Sequence, residues 1–196
     1  MTSSQPADTS LSRPIPPFAE FVALMALTMG MVALSIDNLL PAFGPIARDY
    51  SLTDPNEIQL LVFIFMVGFA LMQIVYGPLA DVYGRKRTLM MGLVIYTIGT
   101  VMAFFADSFE HLLIARFVQG LGAAAPRVLT LTIIRDCFNG RDMARVMSLV
   151  MMVFMAVPIL APNIGQLILL VASWRWTFHA WPSMKMMLNI GSRGPM

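Results

Sequence analysis

The chain has 196 residues, 58% hydrophobic and only 12% charged, with a net charge of +2 and a mean hydropathy of +0.73. Soluble domains carry about 25% charged residues, so half that share excludes a soluble enzyme, and the high hydrophobicity excludes a disordered chain. So small a net charge gives no basic field for nucleic acid, and the single Cys137 rules out an internal disulfide framework or a multi-cysteine metal site.

What remains is an integral membrane protein. Residues 1–17 are polar and proline-broken and read as a disordered tail. The first apolar segment, Phe21 to Phe43, is too long for a signal-peptide core and lacks a small-residue cleavage site, so it is predicted as a membrane helix although Asp37 lies within it. Ile58 to Ala80 follows with no charge over 23 residues, then Thr88 to Ala106 with none over 19. Leu112 to Ile134 carries Arg116 and Arg127. The last run, Val146 to Trp174, is uncharged over 29 residues, with its helix predicted over 146–172. About 20 apolar residues cross a bilayer core, and lipid offers the backbone no partners, so every span must be helical. The expected fold is all-α, with five transmembrane helices.

Orientation follows from the basic residues. Arg13, then Arg85, Lys86 and Arg87, then Arg135, Arg141 and Arg145 fall on one side, against Arg48 alone in the first two loops of the other. The positive-inside bias predicts a cytoplasmic N-terminus and an external stretch after Trp174.

The connection between the second and third spans reads Gly77-Pro-Leu-Ala-Asp81-Val-Tyr-Gly84-Arg85-Lys86-Arg87. Its glycines permit a tight reversal, and Asp81 stands at a helix boundary, where a carboxylate can meet helix-end charge or a guanidinium. The run resembles the signature G-x-L-A-D-x-x-G-R-K of the major facilitator superfamily, at the position that family uses. Further segments narrow the resemblance: Leu39-Leu-Pro41-Ala-Phe-Gly-Pro45, Arg116-Phe-Val-Gln119-Gly120-Leu-Gly122, Arg135-Asp136, Pro158-Ile-Leu-Ala-Pro162-Asn-Ile-Gly165-Gln and Ser173-Trp174-Arg175. Together they are similar to the bicyclomycin-resistance (Bcr/CflA) group of drug:proton antiporters, over about Phe18 to Phe178.

Charges inside a membrane span cost about 2.5–3.5 kcal/mol each unless they face a cavity or a partner. At 1.5 Å per residue, Asp37 lies roughly 24 Å along its span and Arg116 roughly 7 Å into a span entering from the other side, so both come to similar depth. The first and fourth helices are neighbours in the resembled fold, and an Asp37–Arg116 pair is the expectation; the alternative leaves Asp37 at the interface, with Asn38 and Pro41 ending the helix. Arg127 follows Arg116 by about three helical turns. With Gln119 it forms a polar stripe predicted to line a water-filled cavity, or else Arg127 snorkels to the interface. Pro158, Pro162 and Gly165 resemble the superfamily's antiporter motif imperfectly, and a plain kinked helix is the other reading. No nucleophile–base pair or metal-ligand cluster is visible, and His111 and His179 are solitary, so neither an enzyme nor a cofactor is read.

The resemblance implies multidrug efflux across the bacterial inner membrane, with protons moving in exchange. Asp37 would bind the proton, Arg116 would relay its charge state, and Gly77, Asp81, Gly84, Arg85 and Lys86 would form a conformational latch. Superfamily members carry two six-helix halves around a midplane site. Here the likeness stops after Phe178, and residues 179–196, interrupted by Pro182, Lys185, Asn189 and Arg193, are not expected to form a sixth helix. On that reading the chain is a truncated half, inactive alone. The rival function is a non-transporting fragment, or a helical bundle that associates with the missing transporter half or another membrane protein.

Overall fold

The computed structural model describes residues 18–171 apart from positions 38, 53 and 55, so the two expected tails lie outside the described residues. Every regular element among the described residues is helical. They are α1 (Phe18–Asp37), a 3-10 turn (Leu40–Ala42), α2 (Phe43–Asp49), a second 3-10 turn (Glu57–Gln59), α3 (Leu60–Tyr83), α4 (Arg85–Phe104), α5 (Phe109–Cys137) and α6 (Gly140–Val171).

Four segments are long and apolar enough to cross a bilayer: Glu20–Asp49, Glu57–Tyr83, Arg85–Phe104 and Phe109–Cys137. The 32 residues of α6 contain the uncharged run from Val146 and supply a fifth. Large apolar side chains such as Phe63, Ile74, Val82 and Met155 stand on the outside, as expected where lipid is the solvent. The protein is a multi-pass membrane protein.

The first span differs from one continuous helix over 21–43. It breaks after Asp37, and α2 completes a 30-residue segment ending at Asp49. The reason is the missing donor of Pro41, which cannot bond to the Asp37 carbonyl, so the backbone tightens into the 3-10 turn that contains it. Pro45 stands in the first turn of α2, where no helical donor is needed.

The expected loop after the second span is also almost absent. Asp81 lies in the last turn of α3, Arg85 opens α4, and the reversal is made at Gly84 alone, at φ 86° and ψ 151°. Only glycine adopts that conformation without strain.

Helix α5 is the hub. It packs extensively on α3 and α4, while α1 pairs mainly with α6 and touches α5. Small residues allow the approach: Gly120 rests on the Phe65 backbone of α3, and Gly122 on the Tyr96 backbone of α4, with no room for a Cβ at either place. Below them Ala123, Ala124, Ala125 and Leu129 are fully buried with Phe65, Tyr76 and Leu93. A second core gathers Leu39, Ala42, Ile46, Leu61 and Leu112 at the α2 end, where the Tyr50 hydroxyl donates to the Ala106 carbonyl at 2.8 Å.

Candidate functional site

Two polar constructions stand out in this apolar bundle. The first surrounds Arg116, a guanidinium 1% exposed about two turns into α5. Its Nη1 donates to Gln119 Oε1 at 2.6 Å, one turn along the same helix. Its Nη2 donates to the carbonyl of Ser35 on α1 at 3.2 Å. The guanidinium carbon stands 5.0 Å from the centroid of the Phe65 ring on α3, a cation–π distance. Because Gln119 spends its oxygen on Arg116, its Nε2 turns to α4 and donates to Thr100 Oγ1 at 3.0 Å. Thr100 in turn donates to the Tyr96 carbonyl at 2.9 Å, and the Tyr96 hydroxyl meets Ser35 Oγ at 2.5 Å. Four helices thus converge on one buried cation. Polar and aromatic contacts of this kind are what lower the cost of a charge in low dielectric.

Asp37 is the last residue of α1, half-buried, two positions beyond Ser35. The expectation is an Asp37–Arg116 pair; the hydrogen bond that Arg116 Nη2 makes to α1 goes to the backbone carbonyl of Ser35, two residues before Asp37. Arg127 shares the stripe of Arg116 and Gln119 yet serves a different neighbour: its guanidinium carbon lies 5.5 Å from the Phe154 ring of α6. The stripe therefore divides between α1 and α6.

The second construction is an ion-pair knot at the opposite end. Arg85 Nη1 binds Asp81 Oδ1 at 2.7 Å, and Arg85 Nε binds Asp136 Oδ2 at 3.0 Å, so one guanidinium ties α3, α4 and α5. Thr88 Oγ1 donates to the Gly84 carbonyl at 3.0 Å, steadying the reversal. Gly77 is half-buried one turn before Asp81, with nothing within 4 Å of where a Cβ would stand. Lys86 is half-buried in the first turn of α4. Helix α6 runs through positions 158–165, but the side chains of Pro158 and Pro162, and Gly165, lie outside what the structure describes.

Sequence reasoning missed Asp136, Ser35, Tyr96, Thr100 and Phe65. For Asp136 a signal existed, an acid at the end of a span on the same side as three consecutive cations. Tyr96 and Thr100 also left one, as polar residues four apart, and so on one face, in an otherwise apolar span. Ser35 and Phe65 left none.

A multi-pass helical bundle with a buried cation toward one end and an ion-pair knot at the other has the build of a membrane carrier. Residues 21–184 match the Major Facilitator Superfamily, and the chain belongs to that family. It is 34% identical over 161 residues to the uncharacterized MFS-type transporter YdgK of Bacillus subtilis, covering 79% of this chain and 40% of that protein. It is 32% identical over 160 residues to the bicyclomycin resistance protein homolog of Haemophilus influenzae, covering 80% and 40%. Against the multidrug resistance protein MdtL of Klebsiella pneumoniae it is 30% identical over 155 residues, covering 79% and 39%. The chain thus spans about two-fifths of the length of these relatives.

Proposed function

We propose that this chain forms one wall of a drug:proton antiporter of the bacterial inner membrane, with its N-terminus in the cytoplasm. The reading rests on the names of the relatives, one after bicyclomycin resistance and one after multidrug resistance. The observation that carries it furthest is the placement of Arg116: a fully buried cation anchored two residues from Asp37, where the first span breaks. Broken spans whose helix ends and charges lie inside the membrane are how transporters build sites for substrates and coupling ions. Asp37 takes up and releases the proton, and Arg116 and Gln119 hold the α1 end beside it. Arg127 lines the cavity toward α6, where Pro158, Pro162 and Gly165 supply the antiporter-like stretch. The knot of Gly77, Asp81, Gly84, Arg85 and Lys86, extended by Asp136, is the latch that opens as the cavity changes sides. Small-molecule drugs and protons are the ligands. Export itself belongs to the assembly of this wall with a second one, and residues 1–196 alone are expected to leave drug accumulation unchanged.

The test is a chimera joining this chain to the remaining length of the Haemophilus relative, assayed for proton-driven efflux of a fluorescent drug in cells lacking their own pumps. Asp37→Asn should abolish efflux while the protein stays in the membrane, and Asp37→Glu should retain part of it. Efflux unchanged by Asp37→Asn at several external pH values would reject the proton role.

A further inference from the structure

We propose that Tyr96 is a positioning residue for Arg116, acting through Ser35, and that this junction registers the α1/α6 pair against the α3/α4/α5 body. The packing defines two bodies, because α5 lies mainly against α3 and α4 whereas α1 lies mainly against α6. Within the larger body Gly122 presses on the Tyr96 backbone, so Tyr96 on α4 and Arg116 on α5 move as one. Ser35 belongs to the other body. Its hydroxyl and its carbonyl are both engaged across the boundary, the hydroxyl by Tyr96 at 2.5 Å and the carbonyl by Arg116 at 3.2 Å.

The break in the first span explains why Ser35 is the residue chosen. The Leu39 N–H turns to the Ile36 carbonyl at 3.2 Å, one residue tighter than the helical pattern. One residue earlier, in the last turn before the break, the Ser35 carbonyl meets the guanidinium of another helix. A cation suits it, because the C-terminal end of a helix carries partial negative charge. Yet a long Arg side chain loses rotamer freedom in reaching an acceptor on another helix, and that acceptor must be held where the guanidinium can meet it. The Tyr96 phenol does so, because gripping the Ser35 hydroxyl fixes the rotation of α1 about its own axis. Without the phenol a serine hydroxyl turns to its own helix backbone, and α1 is free to rotate its carbonyl away from Arg116. The purpose of the junction rests on the antiport reading, since Asp37 stands two residues on, but its existence does not.

The experiment therefore measures distance and no transport. In the full 196-residue chain with Cys137→Ala, nitroxide pairs are placed at Ala23→Cys and Arg87→Cys across the boundary, and at Glu110→Cys and Arg87→Cys within the larger body. All three positions are exposed. Pulsed electron resonance in lipid nanodiscs should show the cross-boundary distribution shifted and broadened by Tyr96→Phe, with the within-body distribution unchanged. Ser35→Ala, which leaves the Tyr96 ring in place, should give the same result. The double variant should move no further than either single one, because both remove one contact. An unmoved cross-boundary pair, equal broadening of both pairs, or additive effects would each overturn the proposal.

Discussion

Arg85 and Asp136 are 51 residues apart in sequence and 3.0 Å apart in space. Arg85 also holds Asp81, so three helices share one guanidinium at the membrane edge. The carboxylates are well exposed, 68% for Asp81 and 50% for Asp136. Exposed pairs contribute about 0.2–1 kcal/mol each. That weakness suits the proposed latch, whose contacts would open and close. Asp136→Asn should lower the unfolding free energy in detergent by less than about 1 kcal/mol, and Arg85→Ala by no more than about twice that. Denaturation followed by circular dichroism checks both; a loss above about 3 kcal/mol from either would mark a rigid structural bridge and reject the latch.

The glycines divide by what surrounds them. A Cβ at Gly120 would meet the Phe65 carbonyl, and one at Gly122 the Tyr96 backbone, neither of which can step aside. Gly120→Val and Gly122→Val should each cost about 1–3 kcal/mol or more and reduce the folded, protease-resistant fraction in membranes. Gly77→Ala has open space and should fold normally. Gly84→Ala meets no neighbour either, yet its φ of 86° should cost about 1–3 kcal/mol through backbone strain alone. If Gly122→Val folded as well as Gly77→Ala, the close α4–α5 approach would be disproved.

Tyr76 is fully buried on α3, and its hydroxyl has no hydrogen-bond partner among the described residues. A buried hydroxyl without a partner costs about 1–3 kcal/mol, and taking it away costs nothing in bonding. Tyr76→Phe should therefore be neutral or raise the thermal midpoint. A marked drop would reveal a partner, such as a trapped water, that this packing conceals.

How much of this was legible in the sequence depends on the range of the physics. The spans were, because lipid forces long uncharged runs such as Ile58 to Ala80 into helices whatever their neighbours. Arg116 with Gln119 was legible too, since three residues on a helix face one another without help from the fold. The break after Asp37 was half-visible: Pro41 announced it, but whether the chain stops there or resumes as α2 depends on Ala42 and Ile46 finding a buried seat. The Arg116–Ser35 contact was not legible, and for Arg85–Asp136 the sequence offered an acid on the side of three cations but not which of them it meets. Both contacts depend on which helices are adjacent and how each is rotated, and glycines 120 and 122 settle that through backbone approach.

Orientation gives the last prediction. Arg85, Lys86 and Arg87 open α4, Arg135 is in the last turn of α5, and Arg141 and Arg145 lie in the first turns of α6, so six cations collect at the latch end. The opposite end, where α2 meets the 3-10 turn before α3, has Arg48 in the last turn of α2 and the acidic residues Asp49, Asp54 and Glu57 nearby. Retention of Lys and Arg in the cytoplasm predicts the latch end inside and the α2 end outside. The check is a membrane-impermeant maleimide on intact cells in a Cys137→Ala background. Asp54→Cys, exposed in the connection to α3, should be labelled without lysis, and Arg87→Cys, exposed in the first turn of α4, only after it. The reverse pattern would invert the orientation and put the latch on the outer face, where no excess of basic residues is expected.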